Sequence, residues 1–424
     1  MKTFLSTLCF TMVCMSAHCS LFGDFFTEGT LRVDYFYAGN SERTEIFLDE
    51  LIREPHWGGP VSLPENRDDM GNARYNLYDS KTGKLLFSRG ISVLFHEWKT
   101  TAESRTVSRT MSSTAVMPFP VSKVIFEIEE RDWKTGLFSR IFLLEIDPAD
   151  YFIRPELRVP CSWNKLTDRG DPASHVDIAF IAEGYTGEEI PKFYKDVSRI
   201  SEYILSQSPF SEYRERFNIY AVAGISEESG TDVPGERIYR NTILNSSFYS
   251  FDIDRYLTTS DNKQIYNLAA NVPCDFIFIL VNSDRYGGGG FYNWYAMATS
   301  DNVVADMVAI HEFGHSFAGL ADEYYTSEVA YSDFYSFDVE PWEANITTLV
   351  DFDSKWKDML DKSLPVPTPR EAKYSSATGV FEGGGYVAKG IYSPQQNCRM
   401  NSISEKFCPV CQRAIVKKIK YYSR

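Results

Sequence analysis

Over residues 21–150, apolar and polar positions mostly alternate. Leu31-Arg32-Val33-Asp34-Tyr35-Phe36-Tyr37, Ile91-Ser92-Val93-Leu94-Phe95 and Val124-Ile125-Phe126-Glu127-Ile128 carry a period near two, which puts successive side chains on opposite faces of a strand. Ile141 to Ile146 reads as a further strand stopped by Asp147-Pro148, and Asp79 to Lys84 (DSKTGK) as a turn between two strands. Strands at this spacing predict a β-sandwich over 21–150. A linker over about 147–174 follows, marked by Pro148, Pro155, Pro160 and Pro172.

The pattern then changes. His175 to Ile181 reads as a buried strand, and Glu188 to Leu205 as an amphipathic helix with Ile190, Phe193, Val197, Ile200 and Ile204 on one face. Phe217 to Val222 is a second strand. Cys274 to Val281 (CDFIFILV) is a third, apolar almost throughout and therefore buried on both faces. Gly287 to Gly290 lack the Lys-Ser/Thr sequel of a phosphate loop. They predict a mobile turn into an edge strand over Phe291 to Ala298, open to an extended peptide by β-augmentation. A helix is expected over Val303 to Leu320, with Val304, Val308 and Phe317 on its apolar stripe, widened by Met307, Ile310 and Phe313. Ser300 or Asp301 would cap its start, and Gly319 would end it in the left-handed conformation. Tyr325 to Lys389 is irregular, Gly383 to Gly385 marks a flexible turn, and Gln412 to Tyr422 a closing helix. The fold class is therefore α+β and multi-domain, with the β-sandwich ahead of an α/β domain over 151–424.

That helix carries the chemistry. His311-Glu312-Phe313-Gly314-His315 is an H-E-x-x-H motif. Residues four apart on a helix lie one turn above each other, so both imidazoles reach one metal ion. Glu312 then stands beside a metal-bound water as its base, the arrangement of a zinc hydrolase. Without a metal, such a helix would bury one histidine and expose the other. Only six histidines occur in the chain, and two fall here, followed by a glycine stop and acids. Asp322 is the expected third ligand, with Glu323 as the alternative. His56 and His96 have no partner pattern and read as ordinary histidines.

Composition narrows the setting. The chain has 424 residues, 43% hydrophobic and 24% charged, which excludes wholesale disorder. A net charge of −15 argues against nucleic acid or an anionic membrane as partner. Met1-Lys2 and the apolar run Phe4 to Met15 read as a signal peptide over 1–20, too short for a stable transmembrane helix, and predict an exported protein. A lipid anchor at Cys19 is disfavoured by the bulky His18 before it. Five cysteines lie beyond: Cys161, Cys274, Cys398, Cys408 and Cys411. The last three are close enough in sequence for one disulfide. Cys408-Pro409-Val410-Cys411 has the C-x-x-C form, but with no second such pair a structural zinc is not expected, and no thioredoxin-like unit supports a redox role. Asn245-Ser246-Ser247 and Asn345-Ile346-Thr347 are sequons.

The order strand, helix, strand, strand, edge strand, zinc helix, glycine turn and late methionine resembles that of metzincin-like peptidases. Asn397-Cys398-Arg399-Met400-Asn401-Ser402 looks like their Met-turn, in which a methionine lies beneath the metal. HEFGHSFAGLADEY, the downstream Cys398-Arg399-Met400 and the β-rich region ahead resemble peptidase family M64, the immunoglobulin A peptidases of bacteria, over almost all of the mature chain. The resemblance implies a secreted zinc endopeptidase with a protein or peptide substrate. His311, His315 and Asp322 match the metal ligands, Glu312 the base and Met400 the Met-turn residue. Gly319 falls one residue later than in the general metzincin pattern, and Asp322 replaces the usual third histidine. An acidic ligand lowers the metal's net charge and weakens it as a Lewis acid. Ser402 stands where some relatives carry an oxyanion-steadying tyrosine, so that donor is unassigned. The competing expectation is an inactive exported protein- or glycan-binding module on the same scaffold. The intact Glu312 speaks against it.

Overall fold

The computed structural model describes residues 22–325 and 334–424, so the predicted signal peptide and Cys19 lie outside the described residues. Seven strands open the fold: β1 (Phe26–Gly39), β2 (Thr44–Glu54), β3 (Ala73–Asp79), β4 (Leu85–Ile91), β5 (Arg109–Pro120), β6 (Val124–Arg131) and β7 (Phe138–Ile146). They form two antiparallel sheets, ordered β2-β1-β5 and β4-β3-β6-β7. Leu31, Val33, Tyr35 and Tyr37 of β1 share one core with Tyr75, Leu77, Phe126 and Ile128 of the other sheet. The expected turn after Asp79 is present, with Gly83 at φ 68°. The strand expected at Ile91 to Phe95 is not: β4 ends at Ile91, and Leu94–Trp98 turns into the short helix α1. Phe95 stacks on Tyr37 and Trp98 is fully buried, so core contacts override a short alternating run.

The polar side of β1 is buried too. Arg32 is 2% exposed and Asp34 1%. Arg32 pairs with Asp34 at 2.8 Å and with Glu54 at 3.1 Å, and its guanidinium donates to Asn267 Oδ1 at 2.9 Å. Asn267 sits on a helix of the second half, so β1 is a docking face rather than a half-solvated strand. Each buried charge meets a partner, although burial still pushes Glu54 up to about 7.

The second half is built on a six-stranded sheet ordered β12-β13-β11-β9-β10-β8. Its strands are β8 (Trp163–Thr167), β9 (Val176–Glu183), β10 (Phe217–Val222), β11 (Phe276–Val281), β12 (Gly288–Gly290) and β13 (Ala296–Thr299). The inner four run parallel, and β8 and β12 lie antiparallel at the edges. β8 falls in the expected linker. Both faces of the central strands are covered. Ile178, Phe180, Phe278 and Leu280 face α2 (Ile190–Ser206), α4 (Ala305–Ala318) and α5 (Pro409–Tyr422), while Ala179, Ile181, Ile277 and Ile279 face the core shared with the N-terminal sheets. That is why β11 reads as an unbroken apolar run. The helix α3 (Asn262–Ala269) carries Asn267. Among the described residues, no helix is long and apolar enough to cross a membrane.

Candidate active site

α4 starts later than its pattern predicts. Val303 is 98% exposed, and the first turn is closed by Asn302, whose Oδ1 accepts from the Val304 amide. The expected caps are engaged elsewhere: Asp301 pairs with Lys192 at 2.9 Å, and the Ser300 amide bonds to the Val281 carbonyl. Gly319 ends the helix as expected, at φ 61°. This turn sends the chain back so that Asp322 returns beneath the histidines.

The imidazoles and that carboxylate converge. His315 Nε2 lies 3.2 Å from His311 Nε2, and Asp322 Oδ1 lies 3.2 Å and 3.3 Å from the two nitrogens. Asp322 Oδ1 is buried and, besides the two imidazoles, has no hydrogen-bond partner among the described residues. Each imidazole is oriented through its far nitrogen: His311 Nδ1 meets the Arg399 carbonyl at 3.0 Å, and His315 Nδ1 the Leu320 carbonyl at 2.5 Å. A backbone carbonyl can only accept, so both Nδ1 atoms carry protons and both Nε2 atoms are left as donors to a cation. Asp322 Oδ2 accepts from the Tyr386 hydroxyl at 2.8 Å, and the Asp322 carbonyl accepts from the Gly385 amide. The hairpin β14 (Phe381–Gly384) and β15 (Val387–Ser393) thus buttresses the acid through the turn at Gly385 and Tyr386. Gly383 and Gly384, expected in a flexible turn, belong to its first strand.

Donor atoms of His311, Glu312 and His315 lie within 4.8 Å of one another, a group able to hold a metal ion. Glu323, the alternative acid, turns away: its amide donates to the Met400 carbonyl at 2.8 Å, and its Oε1 accepts from Asn345 at 2.9 Å. Asn345 is itself fully buried, so the sequon it heads serves packing here. Met400 lies under α4. A Cβ placed on Gly314 would come within 3.2 Å of Met400 Sδ, so the small residue inside the motif lets the methionine close in.

Electrostatics match this geometry. Burial alone would raise the Asp322 carboxyl, but His315 and His311 beside it hold it well below the usual carboxylate range. Burial works against a charge on His315, yet Asp322 and Glu312 outweigh it and lift the imidazole to about 9. Burial also raises Glu312, against the pull of the two histidines. A carboxyl raised in this way is a better proton acceptor than an exposed one.

The glycine run does more than its pattern signals. Gly288–Gly290 is itself the edge strand, paired with Ala296–Ala298, and Phe291 to Tyr295 is the connection expected to be strand. A Cβ on Gly288 would lie 2.8 Å from Glu312 Cγ, and one on Gly290 2.3 Å from the Glu312 carbonyl oxygen. Only a strand without side chains can approach α4 this closely. Its outer edge is closed at one point, where the Leu257 amide donates to the Gly288 carbonyl at 3.2 Å. The expected β-augmentation edge is therefore already partly occupied.

A cleft of about 150 Å³ opens over the motif, lined in part by Arg255, Tyr286, Tyr324 and Tyr386. Sequence reading missed all four. The signals were Tyr286 directly before the glycine run, Tyr324 two residues past Asp322, and Tyr386 after Gly385; Arg255 carried none. Ser402 is exposed and bonds to Ser404 at 3.1 Å, and it does not line the cleft. His96 is buried and pushed down to about 4 by desolvation, and His56 is an exposed residue of the N-terminal half. The expected disulfide is absent: all five described cysteines are free, and Cys398 Sγ and Cys411 Sγ stand 3.7 Å apart.

Comparison with known proteins places the chain in a family. A search of curated proteins gave no match. The family described as IgA Peptidase M64 matches residues 164–374 and 370–419, and the one described as Peptidase M64 N-terminus matches 21–142. Between them they span both halves of the fold and the whole of the cleft's helix, turn and buttress, and the chain accordingly belongs to peptidase family M64.

Proposed function

We propose that this peptidase is a zinc-dependent endopeptidase in which His311, His315 and Asp322 hold the metal and Glu312 is the general base. One observation carries the reading. Tetrahedral zinc with nitrogen and oxygen ligands at about 2.0–2.2 Å sets its ligands about 3.3 Å apart. The three donor atoms already form a triangle with sides of 3.2, 3.2 and 3.3 Å. The buried Asp322 Oδ1, which faces the two imidazoles, supports the same fit.

Bound there, zinc would supply Lewis acidity, polarising a carbonyl and acidifying water. Glu312, next to His311 and facing the cleft, takes the proton from the attacking water and returns it to the leaving amine. Gly288 and Gly290 hold it from behind. Arg255 is the cation whose field reaches Glu312 and that has Tyr324 as a hydrogen-bond partner; it is our candidate for the donor that steadies the developing oxyanion. A polypeptide enters over the part of the glycine strand that Leu257 leaves free. Export rests on the apolar leader Phe4 to Met15. The metzincin-like assignment of the catalytic region rests on the order of strands, α4 and Met400.

The test is cleavage-site profiling on a peptide library, with and without a chelator. Immunoglobulin A, which the family's description names, belongs in the same assay. Chelator-sensitive cleavage at internal bonds is the expected result. Binding of proteins or glycans without any cleavage would favour the inactive module.

A further inference from the structure

A second group of metal-binding side chains lies behind the first. Glu323, Cys398, Cys408 and Cys411 are all buried, and their donor atoms lie within 4.8 Å of one another. They come from three places in the chain. Glu323 follows Asp322, Cys398 lies two residues before Met400, and Cys408 and Cys411 bracket the start of α5. We propose that these four residues form a structural zinc site of the Cys₃Glu type, separate from the one in the cleft.

The distances carry the proposal. Zinc–sulfur bonds of about 2.3 Å in a tetrahedron put sulfurs about 3.8 Å apart, and a sulfur about 3.5 Å from a carboxylate oxygen. Cys398 Sγ and Cys411 Sγ are 3.7 Å apart, and Cys411 Sγ lies 3.5 Å from Glu323 Oε1. A disulfide would need about 2.05 Å. Two further observations are independent of these distances. Glu323 Oε2 is buried and has no hydrogen-bond partner among the described residues. Sulfur atoms also accept backbone hydrogens, as ligating thiolates do: the Cys408 amide donates to Cys398 Sγ, and the Cys411 amide to Cys408 Sγ, each at 3.4 Å.

The donor set selects the metal. Three sulfurs and one oxygen in a closed tetrahedron suit zinc, and calcium or magnesium, which take oxygen ligands, are excluded. Each thiol that binds gives its proton to solvent. Arg399 packs against the same segment. It follows Cys398 in the chain, and its guanidinium lies 5.4 Å over the ring of Phe407, next to Cys408. Absence of a second C-x-x-C does not exclude zinc, because Cys398 and Glu323 supply the missing pair. The site ties the loop carrying Asp322, the turn carrying Met400 and the start of α5 into one knot. It thereby fixes the Arg399 carbonyl that orients His311.

The test is zinc content of the purified full chain by elemental analysis. Wild type is expected to hold two zinc ions per chain. The double variant His311→Ala, His315→Ala is expected to keep one, resistant to mild chelation. Cobalt substituted into that variant should show thiolate-to-cobalt charge-transfer absorption. Cys408→Ser with Cys411→Ser should lose one zinc and melt at lower temperature. Should that variant fail to fold, the cobalt spectrum of the histidine variant decides alone. A metal-free histidine variant, or a Cys398–Cys411 disulfide in the mass spectrum, would overturn the proposal. Because the histidine variant isolates the sulfur group, either result leaves the assignment of the cleft untouched.

Discussion

Asp322 and Glu323 are neighbours in the chain, yet they serve opposite environments. Asp322 turns toward two imidazoles under an open cleft, and Glu323 toward three sulfurs with no solvent beside them. Both carboxyls are buried and, the imidazoles at Asp322 aside, both bear an oxygen without a hydrogen-bond partner among the described residues. The difference lies in what stands around each. The cleft adds the carboxylate of Glu312, the guanidinium of Arg255 and open space between them. The sulfur cluster adds only more ligands. Catalytic zinc sites keep an open position, while structural ones are saturated by the protein. On the two proposed assignments, one dipeptide would join a reactive centre to the knot that holds it in place.

Variants around the cleft should sharpen this contrast, and the largest effect on metal binding belongs to the acid under it. Asp322→Ala removes a ligand and leaves two imidazoles, so its metal affinity should fall by more than about 100-fold, beyond the usual effect of losing an outer partner. Zinc competition with a chromophoric chelator measures it, and unchanged affinity would break the contrast between the two acids. Arg255→Met comes next. It should cost about 100- to 1,000-fold in kcat with zinc content unchanged, if it steadies the oxyanion; a change confined to KM would reassign it to substrate binding.

Gly288→Ala should act on position alone. Its new Cβ would meet Glu312 Cγ at 2.8 Å, and displacement of the base by a fraction of an ångström should cost up to about 100-fold in kcat. Metal content should stay near wild type, while the same Cβ, 2.9 Å from the Met297 carbonyl oxygen, should lower the melting temperature. The smallest effect is on pH. His315 is raised to about 9 by its acidic neighbours, against about 6.5 in an unfolded chain. The stability this gives the metal-free protein is fully present below about 6.5 and lost as pH rises through about 9. Zinc must displace the same proton, so its apparent affinity should rise about tenfold per pH unit over that window. Denaturant midpoints of the metal-free protein and zinc titrations at several pH values should therefore move in opposite directions. Parallel trends would show that His315 does not carry that proton.

Much of the cleft was legible because local rules govern it. The spacing of His311 and His315 is a helix turn, and Gly319 ends that turn wherever it is packed. The buried run of β11 announces itself by having no polar face. Other parts carried no periodic signal. Three glycines have no side chains to alternate, so Gly288–Gly290 looked like a turn although it is the strand nearest the base. Ile91 to Phe95 alternated well enough to mimic a strand, and only contacts such as Phe95 on Tyr37 reveal the helix over Leu94–Trp98. The short β8 lay among prolines. Glu323 and Cys398 meet only through tertiary folding, and neither spacing nor composition brings them together. The burial of Arg32 and Asp34 carries no local signal, because the helix that covers them lies far along the chain.

The most direct measurement is made on Glu312→Gln, which keeps the shape of the side chain and removes its basicity. Zinc content should equal that of wild type, while cleavage of a peptide substrate falls by about 1,000-fold or more, near the upper range for loss of a general base. Cleavage at close to the normal rate, or zinc lost from the cleft together with the carboxylate, would contradict the assignment of Glu312 as base beside a metal held by His311, His315 and Asp322.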